Sequence, residues 1–179
     1  ERPEVMNDAS RMAVVEKTLA GIRQGLFDPV AGGFFNYAGR RDWGDARSEK
    51  LLAVNVAVVL AFERAHLVSG DPRHAEAVDA TASYLLRTLF DPAAGGFFGS
   101  QSADPAYYLL APPRRNLAPP PPVNREKIAV SNAQAALALL ALRPTARHPE
   151  SELKGAAFRT LDFMRERLLT RDGMYDLYA

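Results

Sequence analysis

The sequence predicts an all-α fold of repeated helical hairpins, and three observations carry the prediction. The stretch LFDPVAGGFFNY (26–37) returns as LFDPAAGGFFGS (89–100), and a recurring loop marks a recurring supersecondary unit. Segments between and after the loops alternate between apolar residues on nearly all sides and apolar residues on one face, the signatures of buried and half-buried helices. The Gly-Gly pairs and the prolines fall between these segments or at their first residue, where they end one helix and start the next.

Each element follows in order. From Ala9 to Leu26, Met12, Val15, Leu19, Ile22 and Leu26 recur in helical step, which predicts a one-faced outer helix. From about Arg47 to Val68 the residues Leu51, Leu52, Val54, Val56, Val58, Val59, Leu60 and Phe62 surround the axis and predict an inner helix. Ser69-Gly70 stops it, and Asp71-Pro72 caps and opens an outer helix running to about Leu89 with Ala75, Val78, Ala82, Leu85 and Leu86 on one side. Ile128 to Leu142 is almost wholly apolar and small, hence inner. Glu150 to Leu169, with Leu153, Ala157, Leu161, Met164 and Leu168 in step, is outer. Asp172, Gly173 and Tyr175 read as a worn third copy of the loop.

The loop composition has a backbone reason. Asp28 and Asp91 can accept from backbone donors as the outer helix ends, while Pro29 and Pro92 cannot continue it. Each Gly-Gly pair permits positive φ before an extended Phe-Phe segment that plugs the end of the helix pair. Between Ser100 and Lys127 stand seven of the chain's 13 prolines. This segment, about 100–127, cannot be helical throughout and is expected to cross the rim with Tyr107, Tyr108 and Leu109 packed down. The whole of 1–179 is expected to form one partial domain.

Composition excludes several functions. With 22 Lys and Arg against 21 Asp and Glu, net +1 and interspersed, no nucleic-acid groove is expected. The absence of cysteine removes a disulfide framework, a thiolate zinc site and a cysteine nucleophile. Three histidines leave little for a metal, so neither metal nor cofactor is expected. The longest apolar run, Leu51 to Phe62, is interrupted by Asn55 and is shorter than the ~20 residues of a membrane span. No signal-peptide pattern stands near the start, and a cytoplasmic location is the default expectation. The chain opens on Glu rather than Met, and its start is expected to have been cut.

Inner and outer helices joined by Asp-x-x-x-Gly-Gly-Phe loops resemble a partial (α/α)6 toroid, the fold of six-hairpin glycosidases and sugar 2-epimerases. A narrower likeness lies in Asp42-Trp43, Glu49 to Leu52, Asn55, Ser69 to Arg73, Gly95 to Asp104, Tyr107-Tyr108, Pro121 to Arg125 and Asn132-Ala133. In that order these resemble the toroid of the thioredoxin-domain proteins related to spermatogenesis-associated thioredoxin-like protein. Such relatives read like DW-x-x-P-H-[FY]-E-K-M-L-x-D-N-A where this chain has DWGDARSEKLLAVNVA. The Pro, His and Asp positions hold Ala46, Arg47 and Val54. Ser102 replaces an Asp and Ser131 an aromatic. The groups expected to face a central cavity have thus lost a titratable imidazole and carboxylates.

The resemblance implies carbohydrate as a partner. A glycosidase of this fold needs two carboxyls roughly 5–9 Å apart; the candidates are Asp42, Asp45, Glu49 and Asp104, of which Glu49 and Asp104 are the expected catalytic pair. Glu49 is placed at the start of an inner helix, where the dipole favours the carboxylate. Trp43, Phe34, Phe97, Tyr107 and Asn132 are the candidate sugar contacts around one mouth. His66, His74 and His148 are not placed for epimerase chemistry. The expected function is therefore a degenerate, non-catalytic toroid unit that binds carbohydrate. The alternatives are an active hydrolase or epimerase and a helical-repeat scaffold for a protein partner. A half ring leaves apolar faces open, which predicts a homodimer or cover from the remainder of a longer chain.

Overall fold

The computed structural model describes residues 8–179. The alternation of outer and inner helices is observed. The outer helix α1 (Asp8–Leu26) is followed by the inner helix α2 (Leu52–Ser69) and the outer helix α3 (Pro72–Tyr84), which ends in a π turn, Leu85–Leu89. The inner helix α6 (Ala129–Ala141) and the outer helix α7 (Glu150–Phe163), with its own π turn Met164–Leu168, form the next hairpin. Two four-residue helices, α4 (Pro105–Tyr108) and α5 (Pro112–Arg115), interrupt the proline-rich excursion between them. Helix α2 packs against both α3 and α6, and α6 against α7.

Burial explains the roles. Leu52, Val56, Val59 and Phe62 of α2 meet Val78, Ala82, Leu85 and Leu89 of α3 and Ala135, Ala136 and Leu139 of α6 in one continuous core. On α1 only the C-terminal half is seated, through Leu19 and Leu26; Val15 is exposed although in helical step with them. On α7 Leu161 is likewise exposed, its place inside taken by Thr160, Phe163 and Met164. Helix α2 has 18 residues and a mean hydropathy of 1.5, so by length and composition it reaches the size of a membrane span, contrary to the reading of its shorter apolar run. Its buried face against α3 and α6, which includes Asn55 and Glu63, accounts for that apolarity as a core helix's.

The inner helix starts five residues later than its apolar pattern suggested. Ala46–Arg47 is a strand, β2, paired antiparallel with β1 (Tyr37–Ala38), and Lys50–Leu51 is a strand, β3. A three-stranded sheet runs β3, β4 (Ser100–Gln101), β5 (Val123–Asn124), with Lys50 opposite Gln101 and Ser100 opposite Asn124. The next repeat copies the pairing: β6 (Lys127–Ile128) takes β7 (Leu177–Tyr178) as β3 takes β4. The worn third loop is thus a structural repeat, and its Leu169–Met174 bridge matches Phe27–Phe34 and Phe90–Phe97.

The loops turn as their glycines require. Gly32, Gly33, Gly95 and Gly96 have φ of 78°, 75°, 78° and 75°, the left-handed region that side chains disfavour. Asp28 Oδ1 accepts from the Val30 and Ala31 amides, and Asp91 Oδ1 from those of Ala93 and Ala94. Phe34 and Phe97 are completely buried behind them. In the proline-rich segment Tyr107 and Tyr108 pack down, but Leu109 is 87% exposed, because the turn that ends α4 points it outward.

Candidate functional site

The strongest construction at the loop end of the helices is one that the search for carboxyl pairs missed. Each loop is locked by a Lys and an Asn from the following strand and inner helix. Asn55 donates to the Phe34 carbonyl at 3.0 Å and accepts from its amide at 2.6 Å; Asn132 does the same for Phe97 at 3.0 and 2.6 Å. Lys50 Nζ donates to Asp28 Oδ2 at 2.5 Å and the Gly32 carbonyl at 2.7 Å, and Lys127 Nζ to Asp91 and the Gly95 carbonyl, each at 2.7 Å. The signal was present: Glu-Lys-x-x-x-x-Asn occurs at Glu49–Asn55 and again at Glu126–Asn132.

The first copy carries extra charge. Arg115 of α5, itself buried, reaches Asp28 with both terminal nitrogens. Its guanidinium lies 4.9 and 4.7 Å from the ring centres of Tyr107 and Tyr108. Lys50 Nζ sits 4.5 Å from the Tyr84 ring and 5.2 Å from that of Tyr108, a cation held by aromatic faces. Burial would push the Asp28 carboxyl up, but Arg115 and then Lys50 outweigh it and hold it below its usual range. Lys50 must share that single carboxylate with Arg115, so burial wins there and pushes its ammonium down to about 8.

The expected site residues are distributed around this framework rather than gathered at one mouth. Phe34, Phe97 and Asn132 are 0% exposed; Phe97 and Asn132 are brought together, but as core plug and lock, so none of the three offers a surface to a sugar. Glu49 is not at a helix start: it precedes β3 in extended chain, and its Oε1 accepts from the Ser100 hydroxyl at 3.3 Å. Asp104 caps α4, accepting from the Tyr107 amide at 2.9 Å. Tyr107 is half-buried, edge-on to Tyr108 with ring centres 5.2 Å apart. Asp42 and Asp45 pair with Arg40 and Arg47 on the β1–β2 hairpin.

Trp43 is also half-buried but lies elsewhere. Its φ of 66° is unusual for a side-chain-bearing residue, and it lies against Gly21 and Gly25 of α1, where a Cβ would overlap it. With Tyr37, Arg40, Ile22, Val54 and Val58 it lines an open, largely apolar cleft of about 440 Å³. Among the described residues no group of three or more His, Cys, Asp or Glu side chains is arranged to hold a metal.

Comparison with known proteins follows the same lines. No protein-family model matches the chain. It is 30% identical over 80 residues to spermatogenesis-associated protein 20 of Homo sapiens, a match that covers 45% of this chain and 10% of the relative. The fold is that of cellobiose 2-epimerase from Bacillus thermoamylovorans B4167, with a TM-score of 0.71 at 10% identity over 96% of this chain and 40% of that one. It is shared with a family 76 glycoside hydrolase from a bovine Bacteroides thetaiotaomicron strain, TM-score 0.68, 11% identity, 90% of this chain and 31% of that one. The chain therefore spans well under half of these proteins, and its fold is part of an α/α toroid.

Proposed function

We propose that this toroid segment is a non-catalytic, glycosidase-like unit that contacts carbohydrate along its loop end. The observation that carries the reading is the use made of its two candidate carboxyls: Asp104 is engaged by a helix cap and Glu49 by a serine hydroxyl. Neither is accompanied by a histidine. Arg47, at the position where the resembling proteins carry His, turns to Asp45, and Val54, in place of an Asp, lines the apolar cleft beside Trp43. Two-carboxyl hydrolysis and proton transfer at a sugar carbon both need groups free to exchange a proton with substrate. Trp43 in its cleft and Tyr107 in the proline-rich segment, the half-exposed aromatics of the expected set, supply two separate sugar-facing surfaces in this reading.

The test is turnover. D-mannose, D-glucose and cellobiose incubated with the chain and followed by proton NMR are expected to remain unchanged, while oligosaccharide binding falls in Trp43→Ala or Tyr107→Ala. Robust epimerisation or hydrolysis that disappears in Glu49→Gln would overturn the non-catalytic reading. The scaffold reading is favoured by one observation, the exposed Val130 and Leu137 on α6. It gains if neither aromatic substitution alters sugar binding.

A further inference from the structure

On the outer side of the hairpins, between α1 and α3, lies a cavity of about 310 Å³ whose walls include Glu16, Arg23 and Gln24 of α1, Phe62 of α2, and Arg73 and His74 of α3. None of the residues discussed above as sugar contacts or carboxyls lines it. Among the described residues, three buried polar atoms at this wall have no hydrogen-bond partner: Glu16 Oε1, Arg23 Nε and His74 Nδ1. His74 is only 5% exposed. Its Nε2 is 3.0 Å from Glu16 Oε2 and its ring stands edge-on to Phe62, with centres 5.4 Å apart, so it is oriented from two sides while its other nitrogen stays open.

The next hairpin holds a different buried histidine whose ring nitrogens are both occupied. There His148, at the turn between α6 and α7, fills the space against α3. Its Nε2 meets the Ser83 hydroxyl at 2.7 Å and its Nδ1 meets Glu152 at 2.8 Å. Buried polar groups are nearly always paired, so three open ones around a single cavity mark a place for a ligand. The wall also defines its class. Both guanidinium groups already have a carboxylate, Arg23 with Glu76 and Arg73 with Asp71, and Glu16 Oε2 is held by His74 Nε2. An anionic ligand would have to compete with those carboxylates for the guanidinium groups. The open atoms are one acceptor, one donor and one ring nitrogen able to play either part. Vicinal hydroxyls, which both donate and accept, satisfy all three, and the cavity is at the small end of the range for ligand sites.

We infer that this cleft binds a small neutral polyol, one sugar ring in size, at a site separate from the loop end and independent of the function proposed there. The test uses the whole chain, isotope-labelled, titrated with D-glucose, D-mannose and, as the anionic probe, inorganic phosphate. The expected result is saturable movement of the His74 ring nitrogens and of the Ala20 and Gln24 amides with a sugar, weakened at least tenfold in Arg23→Leu and in Glu16→Gln. Both variants are first checked by thermal melting; Glu16→Gln preserves shape and serves if Arg23→Leu does not fold. Stronger movement with phosphate than with either sugar would overturn the inference. So would the absence of any saturable change, which would leave the cleft to water, or shifts that persist in a folded Glu16→Gln.

Discussion

At the scale of single residues, the two loop locks are a built-in comparison, and their differences make predictions. Tyr84 and Phe163 occupy equivalent places, each ring lying under a lock lysine at 4.5 and 4.4 Å. The Tyr84 hydroxyl, however, is buried without a hydrogen-bond partner among the described residues. An unpaired buried hydroxyl costs about 1–3 kcal/mol, so Tyr84→Phe, which copies the second lock, should raise stability by about 1 kcal/mol in chemical denaturation; a loss of that size would mean that the hydroxyl has a partner after all. Asp28 runs the other way. Asp28→Asn would leave Lys50 and Arg115 as two buried cations without an anion, a change of the kind that costs about 3–5 kcal/mol. The carboxyl's folded pKa is depressed, so its stabilisation is complete above the unfolded value of about 4 and disappears as pH falls through the lower folded value. The gap between wild type and Asp28→Asn should therefore close in acid, and a gap independent of pH would show that Asp28 is not held as an ion.

At the scale of elements, helices were legible and strands were not. Inner and outer helices announce themselves through ten or more residues of apolar periodicity, and the caps and prolines at Asp71-Pro72 and Ser69-Gly70 fix their ends. Strands of two residues such as Lys50–Leu51 have no period to read, and the apolar Leu51 next to Leu52 made the helix seem to begin early. That error moved Glu49 onto a helix terminus it does not occupy. The lock was readable in principle, since Glu-Lys-x-x-x-x-Asn repeats with the loop, but Lys and Asn inside a core have no hydrophobic signature. Glycine separates loop from helix in a testable way. At Gly33, φ is 75° and a Cβ would stand 2.6 Å from Tyr84 Cδ1 and 2.9 Å from Asn55 Oδ1; Gly33→Val should cost well over 1 kcal/mol through strain and lost lock geometry. At Gly155, inside α7, a Cβ meets nothing within 4 Å, and Gly155→Ala should gain about 0.5–1 kcal/mol from helix propensity. Melting temperatures that moved in the same direction would refute the division.

At the scale of the molecule, the question is what covers the flanks of a partial ring. Helix α2 is flanked by α3 and α6, but α6 presents Val130 (57% exposed), Gln134 and Leu137 (66% exposed) along one side, with Leu140 at its end. Phe158 and Leu161 of α7 add to the exposed apolar surface. In a complete toroid, inner helices have inner neighbours on both sides, and this chain spans 40% of the epimerase with which it shares the fold. Covering apolar surface is worth about 25 cal/mol per Å², so even a few hundred Å² per chain offers several kcal/mol toward association, although ordering two bodies into one offsets much of it. The isolated 179-residue chain is therefore expected to associate at micromolar concentration, through α6 and α7, either with itself or with added toroid sequence. Leu137→Glu together with Phe158→Glu should abolish self-association while leaving the melting temperature of the dilute chain nearly unchanged, because both side chains are already largely in water. Sedimentation velocity decides it: a monodisperse monomer at every concentration, wild type and variant alike, would show that these faces need no partner.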